Sequence, residues 1–289
     1  MPPITFIHLE ETDSTNTFLK SYPRDPAQPY IAVMADYQTA GRGQRGNTWH
    51  SARGQNLLCS IRHHPTFLRP QQQFILSQLI ALTITDGLSE LLPDADEHLR
   101  IKWPNDIYWD DRKLCGILIE YELSATSIEQ AIIGFGINVN QTDFDPAPGD
   151  TTLRLPSQGV LGSTFRPTSL RLIAAQTPPT TPNPSPLTFD IPALFHAITE
   201  HYVQSVATLQ SSIVNAVGDL ESAATDSLVN LQTAYVRRLY RLGVPARYRD
   251  AQGDFTATLE GVNPDGTLRL RDNLNALRSY PFKEVAYIL

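Results

Sequence analysis

The chain has 289 residues, of which 41% are hydrophobic and 18% charged, a globular balance that allows a sizeable core without disulfides or metals. A formal net charge of −7 and a pI near 5.5 exclude a protein built to coat nucleic acid, which needs clustered Lys and Arg. Two cysteines, no basic-apolar leader in MPPITFIHLEETD and no apolar run near the ~20 residues of a membrane helix predict a soluble protein in a reducing compartment.

The first part alternates strand-like and helix-like segments. Ile4–Leu9 reads as a strand, Asp13–Asn16 offers helix N-caps, and Thr17–Lys20 a short helix. Ile31–Ala35 and Leu57–Arg62 read as strands on either side of a polar, glycine-rich loop, Tyr37–Asn56. Apolar residues at helical spacing predict a helix over Gln72–Leu92. Leu99–Trp103, Ile107–Trp109, Lys113–Glu122 and Glu129–Val139 read as sheet strands. The pattern is α+β with a mixed or antiparallel central sheet. Cys59 and Cys115 fall in apolar runs and read as buried structural residues.

After Asn140 the texture changes. Gln141–Arg166 is rich in turn formers, and Thr177–Thr188 holds five prolines, which suits an exposed surface insertion better than an interior element. Ile191–Leu209 and Leu228–Leu239 read as helices, with Arg237, Arg238 and Arg241 as a solvated helix face. The tail, Gly243–Leu289, has short evenly spaced β-like runs separated by turn signals, which suggests a small barrel.

Several motifs could carry chemistry, each with a bland reading beside it. Ala40–Gly46 (AGRGQRG) combines glycines that let backbone approach a ligand with arginines suited to carboxylate and phosphate; a mobile surface turn fits as well. In Lys102–Asp106 (KWPND), proline ends a strand and presents Asn105 and Asp106 at its edge. A hairpin over Asp110–Arg112 would bring Asp106 near Lys113, although a lysine opening a strand is often a solvated gatekeeper. Gly134 and Gly136 interrupt a strand, and by period two they share a face with Asn138 and Asn140, so Asn138 could meet a purine edge. Ser14, Thr15 and Asn16 at a helix start are donors near a positive dipole end, or simple caps. His63 and His64 point to opposite faces and receive no role. No zinc spacing or catalytic triad is apparent, and any metal ligands are unknown.

Taken in order, DSTN, YQTAGRGQRGNTW, KWPNDIYWDDRKLCGIL and GFGINVN resemble the catalytic domain of biotin–protein ligases over most of Ile4–Asn140, and the tail from about Tyr240 resembles that family's SH3-like C-terminal domain. The resemblance implies a class II synthetase-like sheet with flanking helices over residues 1–239 and a small SH3-like β-barrel over 240–289. It implies a cytoplasmic ligase that uses ATP and Mg2+ to convert biotin to biotinyl-5′-AMP. The adenylate then acylates a lysine of a biotin carboxyl carrier domain, from acetyl-CoA carboxylase or a related carboxylase.

Carried onto this chain, Arg42, Lys113 and Asp106 would be catalytic. Ser14, Thr15, Asn16, Gln38, Arg42, Gly43, Gln44, Lys113 and Gly116 would hold biotin. Arg45, Trp49 and Asn138 would hold the nucleotide. Many relatives carry an arginine where this chain has Gln44, so the loop has one charge fewer with which to retain the adenylate. Its glycines are expected to leave it mobile until anionic ligands meet Arg42 and Arg45. Further expectations are no DNA binding, since no helix-turn-helix precedes Ile4, no membrane partner, and a monomer or homodimer. Lipoate–protein ligase is the nearest rival; a non-catalytic binding protein and an RNA-binding protein are rivals of other classes.

Overall fold

Apolar runs buried on both faces build the centre of the main sheet of the computed structural model, which describes residues 1–92, 94–144, 166–176, 188–214 and 221–288, leaving aside the side chains of residue 45 and residues 221–224. Strand β1 (Ile4–Leu9) pairs in parallel with β2 (Tyr30–Ala35). From β2 the sheet continues antiparallel through β3 (Leu57–His63), β7 (Ile128–Ile137), β6 (Arg112–Leu123), β5 (Asp106–Trp109) and β4 (Leu99–Lys102). A two-residue strand, β8 (Arg166–Pro167), joins the start of β6 in parallel. The sheet is therefore mixed, as the sequence predicts.

Its two faces differ in chemistry. On one, Ala32, Met34, Cys59, Ile61, Cys115, Ile117, Ile133, Phe135 and Ile137 join a single core with helices α2 (Gln73–Ser89), α5 (Ile191–Val214) and α6 (Glu221–Arg237). Each fully buried Leu, Ile or Phe in that core contributes about 1.5–3 kcal/mol. The other face carries a smaller cluster, Leu19, Ile31, Val33 and Ile132, beneath helix α1 (Thr15–Ser21). The buried Arg62 fixes the end of α1 by donating to the carbonyls of Leu19 (2.8 Å), Tyr22 (2.5 Å) and Pro23 (2.8 Å), groups a helix terminus leaves unpaired.

The tail forms a second, five-stranded antiparallel sheet in the order β12 (Leu277–Tyr280), β11 (Leu268–Asp272), β10 (Gly253–Val262), β9 (Pro245–Asp250), β13 (Ala286–Tyr287). It is tied to the first sheet at β4. Ile101 N–H donates to Arg238 O and Tyr240 N–H to Ile101 O, both at 2.8 Å, which covers that sheet edge. Trp103 Nε1 donates to Gly266 O at 3.0 Å, Phe74 packs against Gly266, and the Lys102 ammonium lies 5.0 Å from the Tyr287 ring centre.

Some boundaries differ from expectation. Thr15 and Asn16 sit inside α1, with Ser14 as the N-cap. Helix α2 stops at Ser89 rather than Leu92, a short helix α3 (Ala95–His98) follows it, and α6 begins at Glu221 rather than Leu228. Strand β7 ends at Ile137, so Asn138 and Asn140 leave the period-two alternation expected of them. A short helix α4 (Leu170–Ala174), capped by Ser169, occupies a stretch with no predicted element. Arg241 is not on a solvated helix face: it lies beyond α6 with φ +61° and donates to Ile288 O, while Arg238 pairs with Asp86 at 2.7 Å. The proline-rich stretch through residue 187 and residues 145–165 lie outside the described residues. Among the described residues, no helix is long and apolar enough to cross a membrane.

Candidate active site

The face of the sheet opposite the core carries the site, and pairing register lays it out in rows. Asp106, Gly116, Gly136 and Leu58 are successive cross-strand partners on β5, β6, β7 and β3. The next row holds Leu118, Gly134 and Ser60, and the one after it Glu120, Ile132 and Arg62. Residues opposite one another in a ladder share a face, so these side chains converge from four strands.

The glycines are where other groups come down onto the sheet. A Cβ on Gly136 would lie 2.5 Å from Trp49 Cε2, and one on Gly116 2.8 Å from Trp49 Cζ3. The indole therefore lies against both, placed there by the Tyr37–Asn56 loop. A Cβ on Gly134 would lie 2.1 Å from Asn16 Oδ1, so α1 also approaches to a distance only glycine permits. Trp49 Nε1 is buried and has no hydrogen-bond partner among the described residues, so its N–H is left for a partner that the chain itself does not supply.

Asp106 and Lys113 meet as the hairpin reading expects, with Lys113 Nζ 2.8 Å from Asp106 Oδ1 and side chains only 16% and 20% exposed. The register slips between Ile107 and Tyr108, so that Cys115 faces Ile107 while Lys113 faces Tyr108. That bulge sends Leu114 into the core and turns Lys113 onto the Asp106 face. The ammonium lies 5.6 Å from the Trp49 ring centre. Both cysteines are buried and free, and burial pushes both thiols well above their ordinary range, which fits an inert structural role.

Around the start of α1 the polar groups are interlocked. Gln38 Oε1 accepts from Thr15 N–H at 2.7 Å and from Thr15 Oγ1 at 3.1 Å. Ser60 Oγ lies 2.7 Å from Thr15 Oγ1 and 2.6 Å from Asn16 Oδ1. Asn16 Nδ2 donates to Glu120 Oε2 at 2.9 Å. Ser14, the N-cap, is buried and makes no side-chain capping bond. Arg42 pairs with Glu120. Burial opposes ionisation of Glu120, but hydrogen bonds from Arg42 and Asn16 outweigh it and hold this carboxyl below its ordinary range.

The glycine-rich loop carries its own hydrogen bonds: Gly43 N–H to Asn47 O (2.7 Å), Asn47 N–H to Gln44 O (3.1 Å), Trp49 N–H to Gly41 O (2.9 Å) and Ala40 N–H to Asp13 O (2.9 Å). Gln44 opens a single 3-10 turn, Gln44–Gly46. The Arg45 side chain lies outside the described set. Asn138 is buried and donates through Nδ2 to Thr168 O at 2.9 Å, so that amide is engaged inside the fold. Thr168 N–H in turn donates to Lys113 O at 2.9 Å.

Sequence reasoning missed Ser60, Glu120, Arg62 and Thr168. Ser60 and Arg62 stand at alternate positions of an apolar strand, where a polar residue is a signal in itself. Among the described residues, no group of three or more His, Cys, Asp or Glu is placed to hold a metal ion.

Comparisons with known proteins bear on the family and the fold. Residues 9–138 match the Biotin/lipoate A/B protein ligase family. The bifunctional ligase/repressor BirA of Escherichia coli (strain K12) is 39% identical over 135 residues, which cover 45% of this chain and 39% of that protein. The biotin–[acetyl-CoA-carboxylase] ligase of Paracoccus denitrificans is 35% identical over 136 residues, 45% of this chain and 53% of that protein. The chain thus matches about half or less of these relatives' length. In fold, the structure of biotin protein ligase from Aquifex aeolicus in complex with biotin and ATP aligns over 98% of this chain and 97% of that one, at TM-score 0.66 and 22% identity. The chain accordingly carries, over residues 9–138, a domain of the biotin/lipoate A/B protein ligase family.

Proposed function

We propose that this chain activates biotin with ATP to biotinyl-5′-adenylate and transfers the acyl group to a lysine of a biotin carboxyl carrier domain. The observation that carries the reading is the Lys113–Asp106 pair, set beside Trp49 on a glycine floor and within one sheet face of Arg42. Joining a carboxylate to an α-phosphate brings two anions together, so preorganised cations are what the step most requires. Arg42 and Lys113 would draw the carboxylate and phosphate together. Asp106, already against Lys113, would orient or deprotonate the incoming lysine. Ser14, Thr15, Asn16 and Gln38 would hold the ureido end, with Gly43, Gln44 and Gly116 lining the acid. Trp49, Asn138 and Arg45 would hold the nucleotide, and the unpartnered Trp49 Nε1 supports a ligand against that ring. Magnesium would arrive with ATP, held chiefly by phosphate oxygens and water, as that ion prefers.

On this reading residues 1–239 form a class II synthetase-like catalytic domain and residues 240–289 close into an SH3-like barrel. The enzyme works in the cytoplasm, where ATP and carrier proteins are found, as a monomer or homodimer. The Paracoccus denitrificans relative, named as a biotin ligase, supports biotin over lipoate. Exchange of labelled pyrophosphate into ATP tests this: biotin should support it and lipoate should not. Exchange with lipoate at equal or greater efficiency would overturn the choice of acid.

A further inference from the structure

Arg42 already holds a carboxylate, and it belongs to the protein. Its guanidinium pairs with Glu120 on β6, and the same Glu120 Oε2 accepts from Asn16 Nδ2 at 2.9 Å. Glu120 lies four residues along β6 from Gly116, on the same face. A resident anion therefore stands on the face assigned to the substrate acid and engages the cation expected to meet it. The two side chains are 40% and 30% exposed, in the regime where an ion pair is worth little and exchanges partners readily. An intramolecular partner nonetheless competes at a high effective concentration. It lowers the apparent affinity of every acid for Arg42, so a weak unanchored carboxylate is left with little occupancy, whereas an acid anchored at its far end still binds.

We propose that Glu120 is a specificity-determining residue: it occupies Arg42 as an internal counter-anion, so that only an acid held by further contacts captures the guanidinium. The proposal rests on the acid-activation reading above. It predicts that the competition is one of charge, not shape.

The test compares wild type, Glu120→Gln and Glu120→Asp as full chains. Glu120→Gln should bind biotin about fivefold more tightly, the scale for freeing a partly exposed ion pair. It should also become sensitive to inhibition by pentanoate, an acid without the ring system. Its affinity for neutral biotinamide should be unchanged, and Glu120→Asp should behave as wild type. Unchanged or weaker biotin binding in Glu120→Gln overturns the proposal. So does an equal shift for biotinamide, which would mean that Glu120 acts only by shaping Asn16. A ligand-free arm separates this from failure of the biotin reading. Trypsin should cleave after Arg42 several-fold faster in Glu120→Gln with no acid present. A rate equal to wild type overturns the proposal whichever acid the protein binds.

Discussion

Gly116 and Gly136 face each other across the β6–β7 ladder, and the indole of Trp49 rests on both. Two residues without side chains thus form the surface on which an aromatic ring from a loop is laid. Gly134, one row away, does the same for Asn16. On the proposed reading Gly136 lies toward the nucleotide and Gly134 toward the acid, and that separation can be measured.

A methyl group at Gly136 would overlap Trp49, and relieving such overpacking costs about 1–3 kcal/mol. Gly136→Ala should therefore raise KM for ATP roughly tenfold or more while changing KM for biotin little. Gly134→Ala should do the reverse, since its methyl would meet Asn16. Steady-state exchange kinetics with each substrate varied distinguish the two. Equal effects of both variants on both constants would mean that the glycines merely keep the sheet intact.

Lys113→Ala should slow adenylate formation by roughly 10²-fold or more, the scale for losing one preorganised electrostatic donor. Asp106→Asn leaves that cation in place and should instead slow transfer to the carrier lysine. Single-turnover rates for the two half-reactions resolve this. A Lys113→Ala enzyme with unchanged adenylation would show that the pair with Asp106 is only a structural tie.

The second sheet has a stake in the first. Its β10–β11 turn accepts a hydrogen bond from Trp103, in the segment that leads to Asp106, and packs against Phe74. Removing Gly243–Leu289 should impair transfer and lower Tm, because Trp103, 4% exposed, would be laid open. A milder probe is Trp103→Phe, which leaves Gly266 O without its donor at a cost of about 1 kcal/mol. A truncated protein that stays folded and transfers biotin at the full rate would refute the coupling.

What the sequence made legible follows from the range of the interactions. A strand such as Ile4–Leu9 is read directly because its signal is local, and the Asp106–Lys113 pair because a short hairpin joins them. Glu120 and Asn16 are 104 residues apart and meet only through the order of strands in the sheet. The bulge that turns Lys113 onto the site face has no local signature in RKLCGIL. Apolar alternation that runs past Ile137 predicts Asn138 as a strand residue, whereas β7 ends at Ile137 and the Asn138 amide meets Thr168.

His63, without a role in the sequence reading, is expected to make the fold sensitive to acid. It is 2% exposed at the end of β3, stacks on Tyr30 with ring centres 5.4 Å apart, and lies 3.1 Å from the Tyr202 hydroxyl. Burial, with a smaller contribution from neighbouring His64, lowers its pKa to about 3, so the native state holds it neutral. The unfolded chain binds this proton at a pKa of about 6.5. Below that value the unfolded state carries a proton that the native state does not, so stability falls as pH falls, from about 6.5 down to about 3. Between pH 7 and pH 5 the loss should be about 2 kcal/mol. The carboxyls held low, Glu120, Asp250 and Asp272 among them, give up their contribution only below their unfolded values near 4, so the window above pH 5 lies clear of them, and the comparison with a His63 variant separates this imidazole from the other histidines. Urea unfolding at pH 7 and pH 5 measures the slope. His63→Gln, whose amide can still meet Tyr202, should start less stable at pH 7 yet lose almost nothing more by pH 5. If wild type and His63→Gln lose the same stability across that interval, acid enters the fold through another group and His63 is only a packed ring.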